Sequence, residues 1–493
     1  MVELQTPVQA AQWLRQRVTG ELRTDSRQVR PGDGFIAWPG AATDGRQYMA
    51  RAFEQGAAAC LMQYEGSEAW QALPVADRLA SLPGLKQSTG LVADAYYERP
   101  SDRLRVLAVT GTNGKTSTAC WLAQALARLQ PGQQCGVVGT LGVGMWPQLV
   151  STGMTTPDPV RLQQAFRDML QAGATQCAIE ASSIGIAEHR LDGTRIRTAV
   201  FTNFTQDHLD YHGNMAAYWA AKRALFDWEG LQAAVVNIDD AQGARLAQEL
   251  ADSALDVWTC SRHQPARLMA RSLPSREGLS FEVLEGQQTH RLDTHLVGDY
   301  NIDNLLGVIG ALRAQGVALQ QAVQACAHLL AVPGRMQRVP VGDKAPVVLV
   351  DYAHTPDALE QALQALRPLA RQRGGQLWCV FGCGGDRDAS KRPLMAAVAE
   401  RLADRVVLTS DNPRSESPAQ ILSQMRSGLK HPQATALVED RAVAIRQTVH
   451  QAAHEDVVLV AGKGHETTQE IGGIFHPFSD VQHIEAALQE VMA

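Results

Sequence analysis

Val106-Leu-Ala-Val-Thr-Gly-Thr-Asn-Gly-Lys-Thr-Ser117 couples an apolar strand to a glycine turn and the first turn of a helix. A turn of this composition is a phosphate cradle. Backbone N–H groups of Gly111, Thr112, Asn113 and Gly114 can point at phosphate oxygens, and Lys115 can carry a mobile positive charge to the β/γ end. The Thr116 hydroxyl can bind Mg²⁺, with Ser117 beside it on the helix. The spacing is G-x-x-G-K-T, and Val109 stands where the commoner G-x-x-x-x-G-K-[ST] loop has its first glycine. The short form marks a subfamily of nucleotide-binding loops.

Outward from the cradle the chain reads as alternating strands and helices. The helix Ser117 to Leu129 follows, then a strand over Gly136 to Gly142, a helix over Gln163 to Gly173, and a short strand Gln176-Cys-Ala-Ile-Glu180. Thr198 to Asn203 and Ala233 to Asp239 read as further strands, with a helix from Met215 to Phe226 between them. This rhythm predicts a parallel sheet whose ligands collect at the carboxyl ends of its strands. Glu180, Asn203 and the loop Asp207-His208-Leu-Asp-Tyr-His-Gly213 are therefore expected to face the same crevice as Lys115. Residues 255 to 297 read as a β-rich excursion, and 298 to 304 as a loop before a helix over Leu305 to Ala314.

At 493 residues the chain exceeds one core. Residues 1 to 102 read as a small α/β unit, with a helix from Tyr48 to Ala59 beside a strand ending at Met62. Residues 103 to 333 form the cradle domain. After Pro333-Gly334-Arg335 the rhythm restarts in a third unit, 334 to 493. There Val347 to Asp351 is a strand, and a Thr355-capped helix runs to about Arg371. Three further strands end on loops mixing glycine with charge: Cys383-Gly-Gly-Asp-Arg387-Asp388, Asp411-Asn412-Pro413-Arg414 and Gly462-Lys-Gly-His-Glu466. Such loops at strand ends predict a ligand-binding domain. The fold class is thus α/β in three domains, the third of Rossmann-like type.

Hydrophobic residues make up 45% and charged ones 19% of a chain whose formal net charge is -6. That is a globular composition without the basic excess of a nucleic-acid or membrane-surface protein. No apolar run approaches the roughly 18 residues that span a bilayer, and the amino terminus lacks a basic stretch followed by an apolar one, so a cytoplasmic protein is expected. The eight cysteines contain no C-x-x-C pair and read as small buried hydrophobes.

A cradle alone permits kinases, GTPases, ATPases and ligases. Glu180 and His208, both at strand ends beside it, could hold a metal together with Thr116, and hard oxygen donors favour Mg²⁺. A lone loop histidine is ordinarily just hydrogen-bonded. Lys222, on a helix, would by itself be a solvated charge, and Asp25-Ser26-Arg27 a turn.

The order of these motifs resembles the Mur ligase family, the ATP-dependent amide-forming enzymes of peptidoglycan assembly, over essentially the whole chain. The matching text is Thr110-Gly-Thr-Asn-Gly-Lys-Thr116, Glu180-Ala-Ser-Ser183, Thr202 to Gly213, Ala221-Lys-Arg-Ala-Leu-Phe226, Asn301 and Asn304, Pro333-Gly-Arg335 and Asp351-Tyr-Ala-His-Thr-Pro356. The resemblance implies ATP and Mg²⁺ as cofactors. Asn301, Asn304 and Arg335 would join the cradle around ATP, and Lys115, Glu180, His208 and Lys222 would carry catalysis. Lys222 would be carbamylated and, with Thr116, Glu180 and His208, would organise the metal.

The UDP-N-acetylmuramoyl dipeptide would lie on the first domain at Thr24, Ser26, Ala41, Ala42 and Thr43. Its peptide end would meet Thr155, Thr156, Ser182, Glu188 and Arg190. Thr24-Asp-Ser-Arg27, the D-N-P-R tetrad and Ala461-Gly-Lys-Gly-His-Glu466 resemble the member that adds the third stem-peptide residue. The tetrad resembles enzymes using meso-diaminopimelate, whose distal carboxylate an arginine fork can pair bidentately. Arg387, Asp411, Asn412, Pro413, Arg414, Gly462 and Glu466 would surround that amino acid. A lysine-adding relative and a catalytically silent nucleotide-binding protein are the alternatives, and a monomer is expected. Two positions depart from the family pattern: Ile184 replaces a histidine and Glu188 a glutamine.

Overall fold

A computed structural model describes residues 1–40, 43–70, 77–129, 132, 134–275, 278–340 and 345–492. The strand Arg105–Thr110, apolar on both faces and buried along five of its six residues, lies inside the sheet the sequence predicts. Gln176–Glu180 pairs with it in parallel on one side and Ile196–Phe201 on the other. Ala233–Asn237 and Asp256–Ser261 extend the parallel core beyond Ile196–Phe201, and Cys135–Gly139 extends it beyond Gln176–Glu180. Antiparallel strands finish both edges, giving eleven strands among the described residues. The predicted β-rich excursion is thus continuous with the parallel sheet.

Helices cover both faces, as a parallel sheet with two apolar faces requires. Lys115–Leu129 and Tyr300–Ala314 pack on one face through Leu122, Leu126, Leu305 and Ile309. Pro159–Gln171 lies on the other, inserting Phe166 and Met169. A five-stranded sheet of parallel pairs precedes this body. A six-stranded sheet follows it, parallel except for its first pair, and carries Val347–Asp351, Val457–Ala461 and Leu377–Phe381 at its centre. The expected α/β class with parallel sheet cores is therefore the observed one. All eight cysteines are buried and unpaired.

Several element limits differ from expectation. The strand expected to reach Gly142 ends at Gly139 and reverses into Gly142–Met145. The helix expected from Tyr48 to Ala59 is a 3-10 turn Gly45–Tyr48 and one short helix, Met49–Glu54. The helix expected from Leu305 starts at Tyr300, so Asn301 and Asn304 stand on its first turns and not in a loop. The helix over Lys222 ends at Arg223 and continues as the 3-10 turn Ala224–Asp227.

Candidate active site

Because three adjacent parallel strands end together, their loops converge on one cleft of about 430 Å³. Thr112, Asn113, Gly114, Lys115, Thr116, Ser117, Glu180, His208, Asn301, Asn304 and Arg335 all line it. The cradle is held open from the neighbouring strand end. Asn113 N–H donates to Asn203 Oδ1 at 2.8 Å, and Thr202 Oγ1 donates to the Asn113 carbonyl at 2.6 Å. Lys115 Nζ rests on the carbonyls of Gly111 (2.9 Å) and Thr112 (2.7 Å). Burial lowers its pKa. Two neutral carbonyls are weaker partners than phosphate oxygens, so arriving phosphates can draw this ammonium off them.

Glu180, 1% exposed, lies over the cradle. Its Oε2 accepts from Thr116 Oγ1 at 2.9 Å and its Oε1 from the Thr140 N–H at 2.7 Å. A Cβ at Gly139 would land on Glu180 Oε1, so only glycine lets the neighbouring strand end pass so close. Arg335 Nη2 donates to Thr116 Oγ1 at 3.1 Å, from the far side of the chain. Its guanidinium stacks 4.3 Å over the Tyr352 ring. Asn304 Nδ2 donates to Asn301 Oδ1 at 2.9 Å, and the Asn301 amide donates to the Val297 carbonyl at 2.7 Å. Asn113 Nδ2 reaches Asp357 Oδ2 of the following domain at 3.0 Å.

His208 and Lys222 come to the cradle from the opposite flank. His208 has a left-handed backbone (φ 52°) and its ring stands 3.5 Å from Asp207 Oδ2. Burial holds the imidazole below its usual pKa, and Lys115 and Lys222 add to the effect while Asp207 opposes it. Lys222 is not the solvated charge that an isolated helical lysine would be: it is 1% exposed. Its Nζ donates to the Gly111 carbonyl at 2.6 Å and lies 4.5 Å over the Tyr218 ring. Burial, then the nearby Lys115 charge, pushes its pKa well down, which favours the neutral amine. The described residues contain no cluster of three or more His, Cys, Asp or Glu side chains able to hold a metal by themselves. The buried Thr116 hydroxyl and Glu180 carboxylate nevertheless form an adjacent pair of hard oxygen donors with lone pairs to spare, a donor set that fits Mg²⁺.

The residues expected at the peptide end are divided. Thr155 and Ser182 line the same cleft. Thr155 shares a hydrogen bond with Thr140 (3.1 Å) and Ser182 shares one with Thr156 (2.9 Å). Thr156 Oγ1 donates to the Glu180 carbonyl, and Arg190 Nη1 donates to the Thr156 carbonyl at 2.9 Å. Glu188 lies outside the cleft lining. It pairs with Lys86 of the first sheet's body at 2.9 Å and accepts from the Tyr211 hydroxyl. Beside the departure at Ile184, His212 Nε2 stands 3.0 Å from Ser183 Oγ, so a histidine reaches this segment from the stretch expected as a loop, which forms the short helix Leu209–His212.

On the first domain, Ser26 is buried in a 3-10 turn capped by Asp25, which accepts from the Arg27 N–H, as the turn reading requires. The Thr24 hydroxyl partly offsets the burial that raises the Asp158 pKa, and the Thr43 carbonyl accepts from Gly40 N–H at 2.9 Å. Ala41 and Ala42 lie outside the described residues.

The remaining expected residues gather on the third sheet, outside the cleft lining. Asp411 and Asn412 are buried, and Asn412 Nδ2 donates to Glu466 Oε2 at 2.7 Å. Arg414 has a left-handed backbone (φ 53°), donates through Nη1 to the Gly385 carbonyl at 2.7 Å, and pairs with Glu470 at 3.3 Å. A Cβ at Gly385 would strike the Pro413 carbonyl, so the glycine loop is what lets these two strand ends meet. Gly462 abuts Asp411, and Arg387 is exposed at the rim. Sequence reasoning missed Thr140, Tyr352 and Asp357. Thr140 fell inside the strand expected to reach Gly142, and only the structural end at Gly139 brings it to the sheet's edge.

A nucleotide cleft with a carboxylate over a short phosphate loop, joined to a second cluster of glycine and charge, defines a ligase-like site. This chain belongs to the Mur ligase family. The Mur ligase middle domain matches residues 109–312, the Mur ligase glutamate ligase domain 334–464, and the Mur ligase family catalytic domain 20–81. The chain is 59% identical to the UDP-N-acetylmuramoyl-L-alanyl-D-glutamate–2,6-diaminopimelate ligase of Acidovorax sp. (strain JS42), over 98% of this chain and 97% of that one. A solved structure of a ligase of the same description superposes with a TM-score of 0.65 at 37% identity, covering 96% of this chain and 95% of the other. The fold also matches the MurF ligase of Thermotoga maritima in complex with ADP, with a TM-score of 0.67 at 15% identity and coverage of 97% and 98%.

Proposed function

We propose that this chain is an ATP-dependent ligase that joins meso-diaminopimelate to UDP-N-acetylmuramoyl-L-alanyl-D-glutamate, releasing ADP and phosphate. The observation that carries the choice of amino acid is the cluster of Arg414, Asn412 and Glu466. It offers a guanidinium to a carboxylate and a carboxylate to an ammonium, as an amino acid with a second zwitterionic end demands. Support for the reaction comes from the near full-length likeness to the diaminopimelate ligase of Acidovorax sp..

In the reaction, the D-glutamyl carboxylate attacks the γ-phosphorus of ATP and the bond to the β–γ bridging oxygen breaks, giving an acyl phosphate and ADP. The amine of the incoming amino acid then adds to the acyl carbon. Loss of a proton and expulsion of phosphate leave the amide. Lys115, released from the Gly111 and Thr112 carbonyls, holds the phosphates and offsets the meeting of two anions. Thr116 and Glu180 would hold Mg²⁺, which when bound neutralises charge on the transferring phosphoryl group. The buried amine of Lys222 suits carbamylation: its lone pair bonds to the carbon of CO₂ and one proton leaves, turning a buried base into an anion facing the cradle. His208 sits where it can orient the same group.

Residues 1–102 hold the UDP-sugar, 103–333 the nucleotide and 334–493 the amino acid. The contacts from Asn113 to Asp357 and from Arg335 to Thr116 support closure of the last onto the second, which would keep water from the acyl phosphate. No helix among the described residues is long and apolar enough to cross a membrane. Use of ATP and a UDP-linked substrate supports a cytoplasmic enzyme.

The test is ADP release and product mass with diaminopimelate or lysine as the third substrate. Diaminopimelate should be used and lysine refused. Arg414→Ala should raise KM for diaminopimelate by about tenfold or more, the loss of a charge-assisted hydrogen bond. Equal turnover with lysine, or nucleotide binding without amide formation, refutes the assignment.

A further inference from the structure

Lys463 is 0% exposed, although lysine is almost never fully buried unless it is paired. Its Nζ spends all three of its donors: on Asn412 Oδ1 (2.9 Å), Glu466 Oε2 (2.7 Å) and the Thr468 carbonyl (2.7 Å). Two of those partners are side chains to which the proposed function assigns the amino acid, and the third begins the hairpin Thr468–Ile471 and Ile474–Pro477.

The consequence for Asn412 is a fixed amide orientation. Lys463 and the Glu470 N–H both donate to its Oδ1, while its Nδ2 donates to Glu466 Oε2. Two donors on one side and an acceptor on the other leave no alternative flip, and one Nδ2 hydrogen stays open. Glu466 is constrained in the same way: Oε2 is occupied by Lys463 and Asn412, so Oε1 is the oxygen left to meet an ammonium. The hairpin is tied to the same hub. Arg414 N–H donates to the Glu470 carbonyl at 3.1 Å, and Gly472 N–H donates back to the Arg414 carbonyl at 2.7 Å. This pairing holds Arg414 in its left-handed conformation.

We propose that Lys463 is a positioning residue for amino-acid recognition: one buried ammonium sets the orientation of Asn412 and Glu466 and anchors the hairpin that clamps Arg414. It does not touch the substrate. The proposal rests on the functional reading above, because the amino acid must bind at Asn412 and Glu466 for the effect to appear.

The experiment measures kcat and the KM of all three substrates for wild type, Lys463→Met, Glu466→Gln and the double variant. Lys463→Met should raise KM for diaminopimelate about tenfold or more and leave KM for ATP within about twofold. In the Glu466→Gln background the same substitution should add clearly less than it does in wild type, because one of the groups it positions is already lost. Unchanged KM for diaminopimelate in a variant that still binds ADP, or fully additive effects, overturns the proposal. If Lys463→Met alone does not fold, the double variant, which removes both charges of the pair, is compared with Glu466→Gln. Similar KM values support the proposal, and a further tenfold rise overturns it. Failure of the functional reading is distinguishable: it would appear as wild type inactive with diaminopimelate, whatever the variants do.

Discussion

Replacing Asp480 by alanine should unlock the third sheet more than any other single surface-remote change in it. Arg441 and Asp480 are fully buried and form a two-pronged pair, Nε to Oδ1 and Nη2 to Oδ2, both at 2.7 Å. Arg441 heads the helix Arg441–Gln451, Asp480 heads Asp480–Met492, and the same guanidinium donates to the Ala461 carbonyl at 2.9 Å. An exposed pair of this kind is worth under about 1 kcal/mol. A buried one that loses a single partner leaves an uncompensated charge and costs about 3–5 kcal/mol. At 1.4 kcal/mol per tenfold, that becomes roughly two to three and a half decades of hydrogen-exchange protection. The amides to follow are those of Leu377–Phe381 and Val457–Ala461, in the strands beside the pair. The double variant Arg441→Met/Asp480→Ala removes both charges and should recover most of the loss. Less than about a tenfold loss in Asp480→Ala, or a double variant equal to the sum of the singles, would refute the reasoning.

Three other outcomes are expected. Gly139→Ala, whose new Cβ would displace Glu180, should abolish ADP release while leaving the helical circular dichroism intact. Retained turnover would show that Glu180 can move freely. Intact mass measured at neutral pH should show Lys222 carrying one CO₂, lost on acidification, and Lys222→Met should turn over at least about a hundredfold more slowly. An unmodified lysine with activity insensitive to CO₂ depletion would count against the carbamate. His354 is pushed down to about 4, chiefly by burial and then by Lys391. Because its unfolded form protonates near pH 6.5, the unfolded state binds more protons between about pH 6.5 and 4, so this residue's contribution to stability is lost as pH falls through that window, by on the order of 1–3 kcal/mol. Urea midpoints of wild type should therefore drop relative to His354→Asn on acidification. A constant difference between the two would refute it.

The cradle, Glu180 and the strand rhythm were legible because short-range pattern determines them: a strand buried on both faces is an apolar run, and the loop after it sits at the sheet's edge. Asn301 and Asn304 were misplaced into a loop. Gly298 to Asn304 is polar enough to read as one, yet Ile302 already keeps step with Leu305, Leu306 and Ile309 on the buried face of the helix. Lys222 shows the limit more sharply. Its burial depends on the Gly111 carbonyl and the Tyr218 ring, and no local spacing reveals the former. Lys463 and Arg441 were invisible for the same reason, since a charged side chain is buried only where distant partners meet it. The hairpin at Gly472-Gly473 went unread, although a Gly-Gly pair between apolar residues is a turn signal.

The eight buried thiols give the molecule a property unrelated to catalysis. One lies in the first sheet (Cys60), five in or against the central body (Cys120, Cys135, Cys177, Cys260 and Cys326), and two in or beside the third sheet (Cys379 and Cys383). Burial raises the pKa of every one, so each is inert to an alkylating reagent until its surroundings open. Native cysteines thus serve as built-in reporters of opening, and peptide-resolved alkylation would time the loosening of each sheet separately, without an engineered label.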